Sequence, residues 1–253
     1  QQKNIKRAGM MGMLLSLSRQ SSFRIVLRYL QSGYQSIYSN ALAQQSQNEN
    51  ESGLMAGFST QIKKWKIDGW GDVFANQWIR LNKFSVEPDA VWQTRLMYQM
   101  SKSETISASI SLKIKHLNQA SELGSGAPPI RLSEKTQALH VRLHYSRKIT
   151  ATTTCNVRVE WSSWKAQNKN ESVLAFLDMK SRINAALTLQ CRFSAFEGNE
   201  YDARIYAFEP DLTYSSRISP FFQSCLDFYI LLKWKFHRNW QLDGKIRKTK
   251  YID

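Results

Sequence analysis

Apolar and polar side chains alternate with a period of two along most of this chain. The clearest segment is Cys225 to Phe236, in which the even-numbered residues are all apolar and the odd-numbered ones include Asp227, Lys233 and Lys235. A helix would mix the two sets around its circumference, whereas a strand places them on opposite faces. The pattern therefore predicts a β-strand with one apolar and one polar face.

The same alternation predicts about twelve strands. They cover Gly9 to Ser18, Phe23 to Gln31, Gly53 to Ile62, Trp65 to Ala75, Ala90 to Met100, Glu104 to His116, residues 139–146, residues 155–161, Ser172 to Ser181, Ala185 to Phe196, Cys225 to Phe236 and Trp240 to Lys250. Most are about ten residues long, whereas strands of globular proteins average about five or six, and about 9–11 residues cross a bilayer when the strand is tilted.

The predicted connections alternate between short turns and long loops. The short turns are residues 19–22, 63–64, 101–103, 147–149, 182–184 and 237–239, and the long loops are 32–52, 76–89, 117–135, 162–171 and 197–224. All long loops then lie at one end of an up-and-down sheet, as in outer-membrane barrels. We predict an all-β, antiparallel, transmembrane β-barrel domain over residues 1–253, with about twelve strands visible and more in a complete protein.

Two segments are ambiguous in this scheme. Ala8 to Leu17 follows three basic residues and resembles the apolar part of a signal peptide, but no small-residue cleavage site follows, so we predict a strand. Ala203 to Tyr214 has the composition of a strand, yet counting it as a crossing would put the tight turn at 237–239 among the long loops. We therefore place it in the last long loop, as a strand that extends beyond the bilayer and is interrupted by Pro210.

Aromatic residues lie near the ends of many predicted strands, as they do in the interfacial girdles of membrane barrels. These residues are Trp65, Trp92, Tyr98, Tyr145, Trp161, Trp234, Phe236 and Trp240. Packing at the strand ends of a large soluble β-barrel explains the same positions, so that class remains as an alternative.

The composition adds a strong positive charge to this picture. The 253 residues include 35 Lys and Arg against 20 Asp and Glu, which gives a formal charge of +15. Such an excess suits an anionic neighbour, namely lipopolysaccharide, acidic lipid headgroups or nucleic acid. The three cysteines lack the close spacing of metal ligands. The sequence contains no run of about 18 apolar residues, so it predicts no membrane-spanning helix.

Many basic residues fall on the polar, inward side of the predicted strands. The candidates for a basic lumen are Arg24, Arg28, Lys113, Lys115, Arg142, Arg158, Arg192, Lys233, Lys235, Lys245 and Arg247. Acidic residues on the same faces, such as Asp72, Asp178 and Asp227, could pair with them across the interior. The other interpretation is that surplus positive charge guides polyanions such as DNA.

No pattern predicts catalysis. His140 and His144 share one strand face, but Arg142 lies between them and would repel a cation, so we interpret them as polar filling and expect no metal or other cofactor. The serines at 107, 109, 111 and 146 occur outside any G-x-S-x-G sequence. We therefore predict that the protein is not an enzyme.

The stretch Arg192 to Phe236 resembles the C-terminal barrel region of Bacteroidota proteins that carry a helix-hairpin-helix domain. The resemblance depends most on the segment from Arg204 to Glu209, with Arg204, Ile205, Tyr206 and Glu209 as the motif residues, and an acidic loop precedes it. Ser32 to Gln44 also resembles the first long loop of that family. The resemblance implies an outer-membrane barrel and a DNA-binding module, but the module itself is not among these residues.

The expected function is that of a non-enzymatic outer-membrane barrel in a Gram-negative envelope. It would act as a channel or as a structural subunit of an envelope complex, linked through its family to DNA binding or uptake. The expected partners are outer-membrane lipid and lipopolysaccharide, other envelope proteins at the long loops, and DNA. The alternatives are a soluble β-barrel module that binds nucleic acid and an outer-membrane hydrolase. Because the first residue is not Met and Tyr251 to Asp253 lacks a terminal aromatic, we expect a piece of a longer protein.

Overall fold

Strands form almost all of the regular structure in the described part of the chain. The computed structural model describes residues 6–34, 43–44, 49–79, 86–120, 131–215 and 217–252. Strands β1 to β14 are Ala8–Ser18, Ser21–Leu30, Glu51–Ile62, Trp65–Ala75, Asp89–Ser101, Glu104–Ala120, Arg131–Lys148, Thr153–Lys165, Lys169–Arg182, Leu187–Glu197, Ile205–Glu209, Arg217–Phe221, Cys225–His237 and Trp240–Tyr251. A short 3-10 turn spans Tyr201–Ala203. None of these residues form a helix that is long and apolar enough to cross a membrane.

Twelve of the strands belong to one sheet. They are hydrogen-bonded to their neighbours in chain order, except that β10 is followed by β13, while β11 and β12 form a separate two-stranded sheet. The pairings β1–β2, β2–β3, β3–β4, β8–β9, β9–β10, β10–β13 and β13–β14 are antiparallel. The all-β antiparallel class and the twelve predicted strands are confirmed, including β1 at the segment that resembled a signal peptide. No closing pair between β1 and β14 occurs among the described residues, and closure into a barrel stays a prediction.

The chain divides into two compact units. One contains residues 1–94 and 111–138, and the other contains residues 95–110 and 139–253. The boundaries cut across β5, β6 and β7 rather than falling in a linker. A single barrel domain over 1–253 remains an expectation.

In the second unit, the polar faces of the strands are buried and the apolar faces are exposed. Along β13, Asp227 and Tyr229 are 1% and 0% exposed, whereas Phe228 and Ile230 are 42% and 39% exposed. Strands β9 and β10 also alternate between buried and exposed residues. Their buried face carries Asp178, Gln190 and Arg192, and farther from the β9–β10 turn it carries the apolar residues Leu174, Phe176 and Phe196. A sheet that packs its apolar face into a core would show the opposite distribution. Because the polar face is the buried one, other residues of the chain must cover it.

Two predicted loops are partly strand. Residues 162–171 were expected to be a long loop, but β8 continues to Lys165 and β9 begins at Lys169. Similarly, β6 and β7 occupy both ends of the predicted loop 117–135, whose central residues 121–130 lie outside the described part. In these extensions neither face of the strand is strongly apolar, so the alternation of hydropathy is weak. Backbone pairing nevertheless continues, which is why the sequence pattern missed these strand ends.

The last predicted loop contains a folded hairpin. We call residues 205–221 the β11–β12 hairpin, in which Ile205 pairs with Phe221 and Glu209 with Arg217. Ala203 to Tyr214 is therefore outside the main sheet, as predicted, and β11 ends directly before Pro210. The expected direction was wrong. Instead of extending beyond the strand ends, the hairpin packs against the polar face of β9, β10, β13 and β14.

Candidate functional site

Cross-strand register assembles the polar side chains of the second unit into rows. Residues directly opposite each other in an antiparallel pair point to the same face. One row follows β8, β9, β10, β13 and β14 in that order and consists of Asn156, Asp178, Arg192, Tyr229 and Arg247. Residues predicted separately to face inward are therefore neighbours, and the register of the strands decides which charges meet.

Several of these charges form ion pairs. Arg192 Nη2 donates to Asp178 Oδ2 at 3.1 Å, and Arg247 Nε donates to Asp227 Oδ1 at 2.7 Å. Arg142 Nε donates to Glu160 Oε2 at 2.7 Å. These contacts agree with the interpretation that mixed charges pair on the polar face.

Arg158 differs from these arginines because no carboxylate binds it among the described residues. Its Nε is buried without a hydrogen-bond partner, and its guanidinium lies 4.9 Å from the centre of the Phe176 ring. Three arginines, Arg95, Arg142 and Arg192, interact with it electrostatically, against one carboxylate, Glu160, which is itself bonded to Arg142. The polar face of this unit therefore has a local surplus of positive charge.

The β11–β12 hairpin covers part of this face through a small apolar cluster. On the hairpin, Ile205 is fully buried and Ala207 and Phe221 are nearly so. They pack together with four buried residues of the main sheet, which are Leu174, Phe176, Phe196 and Cys225. In addition, Arg192 Nη1 donates to the carbonyl oxygen of Phe208 at 2.8 Å. The hairpin is thus part of the packed structure of the unit.

Charged residues hold the hairpin to β14 in what we call the latch, formed by Glu209 and Asp211 with Lys245 and Arg247. Lys245 Nζ lies 2.5 Å from Glu209 Oε1 and 3.4 Å from Asp211 Oδ1, and Arg247 Nη1 lies 3.4 Å from Glu209 Oε2. Lys245 also donates to the carbonyl oxygen of Pro210 at 3.1 Å. The latch joins the end of β11 to the middle of a main-sheet strand.

Asp211 is prepared for this contact by its own surroundings. It receives hydrogen bonds from the backbone N–H of Leu212, at 2.9 Å, and from the hydroxyl of Ser215, at 3.1 Å. Together with the Lys245 ammonium, these donors hold the pKa of the Asp211 carboxyl below its usual value. The carboxylate is therefore ionised at neutral pH and can bind Lys245.

The four residues of the family motif have different surroundings. Ile205 and Glu209 point toward the main sheet, where they contribute to the apolar cluster and to the latch. Arg204 donates through Nε to the Tyr206 hydroxyl at 2.7 Å, and its guanidinium lies 4.1 Å from the centre of the Tyr201 ring. Alternation along β11 explains this division, because its odd-numbered residues are buried and Tyr206 and Phe208 are exposed.

The first unit contains a separate and fully buried charge cluster around Arg28. Its Nε donates to Glu51 at 2.6 Å, and its two terminal nitrogens donate to Asp72 at 2.8 and 3.0 Å. None of these three side chains is exposed. Gln44 completes the cluster by donating to Asp72 at 2.7 Å. Gly53 makes room for it, since a Cβ there would lie only 2.6 Å from Arg28 Cζ.

The remaining candidates are not drawn into one site. Arg24, Lys113 and Lys235 are exposed, Lys115 is half-buried, and Lys233 lies 3.9 Å from Asp243. No group of three His, Cys, Asp or Glu side chains that could hold a metal occurs in the described part of the chain, which includes His140 and His144.

Sequence reasoning missed the contacts made by loop residues. Glu51 and Gln44 were assigned to a long loop, and Glu209 and Asp211 to an excursion away from the sheet. Glu51 and its partner Arg28 are 23 residues apart in the chain, Gln44 and its partner Asp72 are 28 apart, and Asp211 and Lys245 are 34 apart. No local periodicity could have revealed such pairs.

Comparison with known proteins gives distant structural similarity alone. No family model matches, and no curated protein matches. Among solved structures, a NanC porin is similar at 8% identity, with a TM-score of 0.38, over 89% of this chain and 90% of that one. The toluene transporter TodX of Pseudomonas putida is similar at 10% identity, with a TM-score of 0.36, over 94% of this chain and 76% of that one. The monoaromatic hydrocarbon channel CymD is similar at 8% identity, with a TM-score of 0.37, over 97% and 78%. Similarity at this level assigns neither a family nor a function to the chain.

Proposed function

We propose that the chain forms an outer-membrane β-barrel that acts as a non-enzymatic channel, narrowed by the β11–β12 hairpin. The observation that carries this proposal is the inverted burial of β9, β10 and β13. On one face, apolar side chains such as Leu177, Phe193 and Phe228 are exposed. On the other face, the charged side chains of Asp178 and Asp227 are buried, beside the apolar residues that the hairpin covers. In lipid, the exposed apolar face would meet hydrocarbon and the polar face would line the interior.

The lengths of the strands support the proposal. The main-sheet strands span from 10 residues in β2 to 18 in β7, and about 9–11 residues cross a bilayer. Exposed aromatic residues also lie at the short-turn ends of three strands, namely Trp65 in β4, Trp234 in β13 and Trp240 in β14. Indole rings at such positions would anchor the strands at a membrane interface.

A second candidate is a non-conducting structural subunit of an envelope complex. The packing of the hairpin favours it, because Ile205 and Ala207 are buried at 0% and 2% exposure rather than lying loosely on the sheet. A hairpin packed this firmly could close the interior. The link to DNA is a further proposal that derives from the family resemblance and from the charge of +15.

Substitution of the exposed apolar face tests the membrane assignment. Ile230 lies near the middle of β13 and is 39% exposed, so we expect Ile230→Arg to lower the unfolding free energy in phospholipid vesicles by about 2–4 kcal/mol. Leu189→Arg on β10 should act similarly. Gln20→Arg adds the same charge in the exposed short turn between β1 and β2 and should have little effect. Wild-type protein that stays monodisperse without detergent would contradict the assignment.

Planar-bilayer recording separates the channel from the structural subunit. A channel should give discrete conductance steps, and a subunit with a closed interior should give none. Addition of short duplex DNA tests the third proposal. Block that weakens steeply as salt rises would support contact between DNA and inward Arg and Lys residues, whereas conductance unchanged by DNA at low salt would oppose it.

A further inference from the structure

Two adjacent cross-strand rows at the short-turn ends of β8, β9, β10 and β13 contain basic residues without carboxylates between them. One row places Arg182 opposite Thr188, and Thr188 opposite Lys233. In the next row, Lys180 lies between Thr154 and Gln190. All these residues are on the polar face, toward the ends of the strands at which short turns join β9 to β10 and β13 to β14.

The rows line a cavity of about 610 Å³, which Phe208 and Pro210 of the hairpin also border. Its wall contains the cations Lys180, Arg182 and Lys233, and none of the described residues that line it is acidic. Small-molecule sites in proteins have volumes of about 300–1,000 Å³. The size fits a small organic ion and excludes a folded macromolecule or a DNA duplex.

The charge of the cavity is largely uncompensated. Lys180 and Arg182 form no ion pair among the described residues, and Lys233 has a single acidic neighbour, Asp243, at 3.9 Å. The nearby carboxylate of Asp178 accepts hydrogen bonds from Gln190 and Arg192. Cationic groups that line the same partly enclosed site attract anions more strongly than they would in open water.

The hairpin adds an apolar surface to the same cavity. Phe208 and Pro210 from the hairpin line it, together with Leu231 from β13. The Phe208 side chain is 62% exposed, so its ring can contact a ligand where β11 borders the cavity. The hydroxyls of Thr154 and Thr188 lie on the polar side. A ligand that fits both surfaces has an anionic group and an apolar ring.

We infer that this cavity binds small aromatic carboxylates, with the carboxylate at Lys180, Arg182 and Lys233 and the ring against Phe208. The inference deepens the proposed channel function by naming the class of its solute. The guanidinium of Arg182 can hold a carboxylate through two parallel hydrogen bonds. Arg158, two rows further along the polar face, extends the positive charge on the path away from the cavity.

Calorimetric titration of the detergent-solubilised protein with sodium benzoate tests the inference without requiring conductance. We expect saturable binding of benzoate and none of the neutral amide benzamide. The variant Lys180→Gln/Arg182→Gln should weaken benzoate binding by at least about tenfold. The matched control Lys63→Gln/Lys64→Gln removes the same two charges from an exposed short turn and should bind as the wild type does. Far-UV circular dichroism checks that both variants are folded.

A second variant separates the apolar contribution from the charge. Phe208→Ala removes no buried side chain, so we expect the hairpin to stay in place while benzoate affinity falls by about 2- to 10-fold. Acetate, which lacks a ring, should bind the wild type and Phe208→Ala equally. Equal affinities of the wild type for benzoate and acetate would overturn the proposed ligand class, and so would binding that survives loss of Lys180 and Arg182.

The outcome can be distinguished from failure of the channel. Benzoate binding that depends on Lys180 and Arg182 in a protein without conductance would support the site and oppose the channel. Conductance combined with benzoate binding that is indifferent to these substitutions would overturn the site and leave the channel standing.

Discussion

Arg28 in the first unit and Arg182 in the second are both basic residues on the polar face of a strand, but their surroundings are opposite. Arg28 is bracketed by Glu51 and Asp72, and none of the three side chains is exposed. Arg182 is exposed, lines a cavity with Lys180, and has no ion pair in the described part of the chain. Arg28 is therefore part of the folded core of its unit, whereas the guanidinium of Arg182 is accessible to a ligand.

The difference follows from the cost of removing charge from water. A buried guanidinium costs several kcal/mol unless carboxylates and hydrogen bonds compensate it, so Arg28 can exist only as part of its cluster. Arg182 faces a cavity that water can enter, so its guanidinium stays hydrated and the free-energy cost of desolvation is small. Compensated cations stabilise the fold, and uncompensated ones are free to meet a ligand.

The largest effect is expected from breaking the compensated cluster. Arg28→Met would leave Glu51 and Asp72 buried without their cation, and the free energy of unfolding should fall by about 3–5 kcal/mol. Denaturant titration in phospholipid vesicles measures this change. Arg24→Met, at an exposed arginine on the same strand, is the control and should cost less than about 1 kcal/mol. If Arg28→Met and Arg24→Met lowered the free energy of unfolding by similar amounts, the burial of Arg28 would not explain its contribution to stability.

A smaller loss should follow from crowding the same cluster. Gly53→Ala places a Cβ within 2.6 Å of Arg28 Cζ, and the guanidinium cannot retreat without breaking its bonds to Glu51 and Asp72. We expect a loss of about 1–3 kcal/mol in the same titration. Gly9→Ala on β1 is the matched control, because no atom lies within 4 Å of the added methyl. A neutral Gly53→Ala would show that Arg28 is not held in place.

The latch lies between the two extremes, because its cations are partly exposed. Glu209→Gln removes the carboxylate that binds Lys245 and Arg247, whose side chains are 14% and 28% exposed. We expect faster hydrogen exchange at the amides of β11 and β12, reflecting a loss of about 1–2 kcal/mol in local opening, with the main sheet unchanged. Glu200→Gln, on an exposed side chain before the 3-10 turn, is the control. Unaltered exchange in the hairpin would mean that the apolar cluster alone holds it.

The smallest effect on stability is expected at the uncompensated cations. Lys180→Gln/Arg182→Gln breaks no ion pair, so the free energy of unfolding should change by no more than about 0.5 kcal/mol, even though ligand binding falls. The same denaturant titration checks this. A loss comparable to that of Arg28→Met would remove the distinction between the two kinds of basic residue.

The alternation of hydropathy determined the strands of this protein. In β13, the even-numbered apolar residues and the intervening Asp227 and Tyr229 already define two faces, and period two is a local property that needs no knowledge of partners. The same rule placed Arg192 and Arg247 on the polar face of their strands, where the register makes them members of one row. Where the alternation is strong, the sequence therefore predicts both that a strand forms and on which of its faces each side chain lies.

Only the tertiary structure decided which polar residues meet. The sequence placed Arg28 on the polar face but assigned Glu51 and Gln44 to a loop, and it directed the segment of Glu209 and Asp211 away from the sheet. These contacts depend on strand register and on how a loop folds back over the face that it covers. Ion pairing acts between residues that are distant in the chain, so local periodicity, which revealed every strand of the main sheet, has no means of selecting the partners of a buried charge.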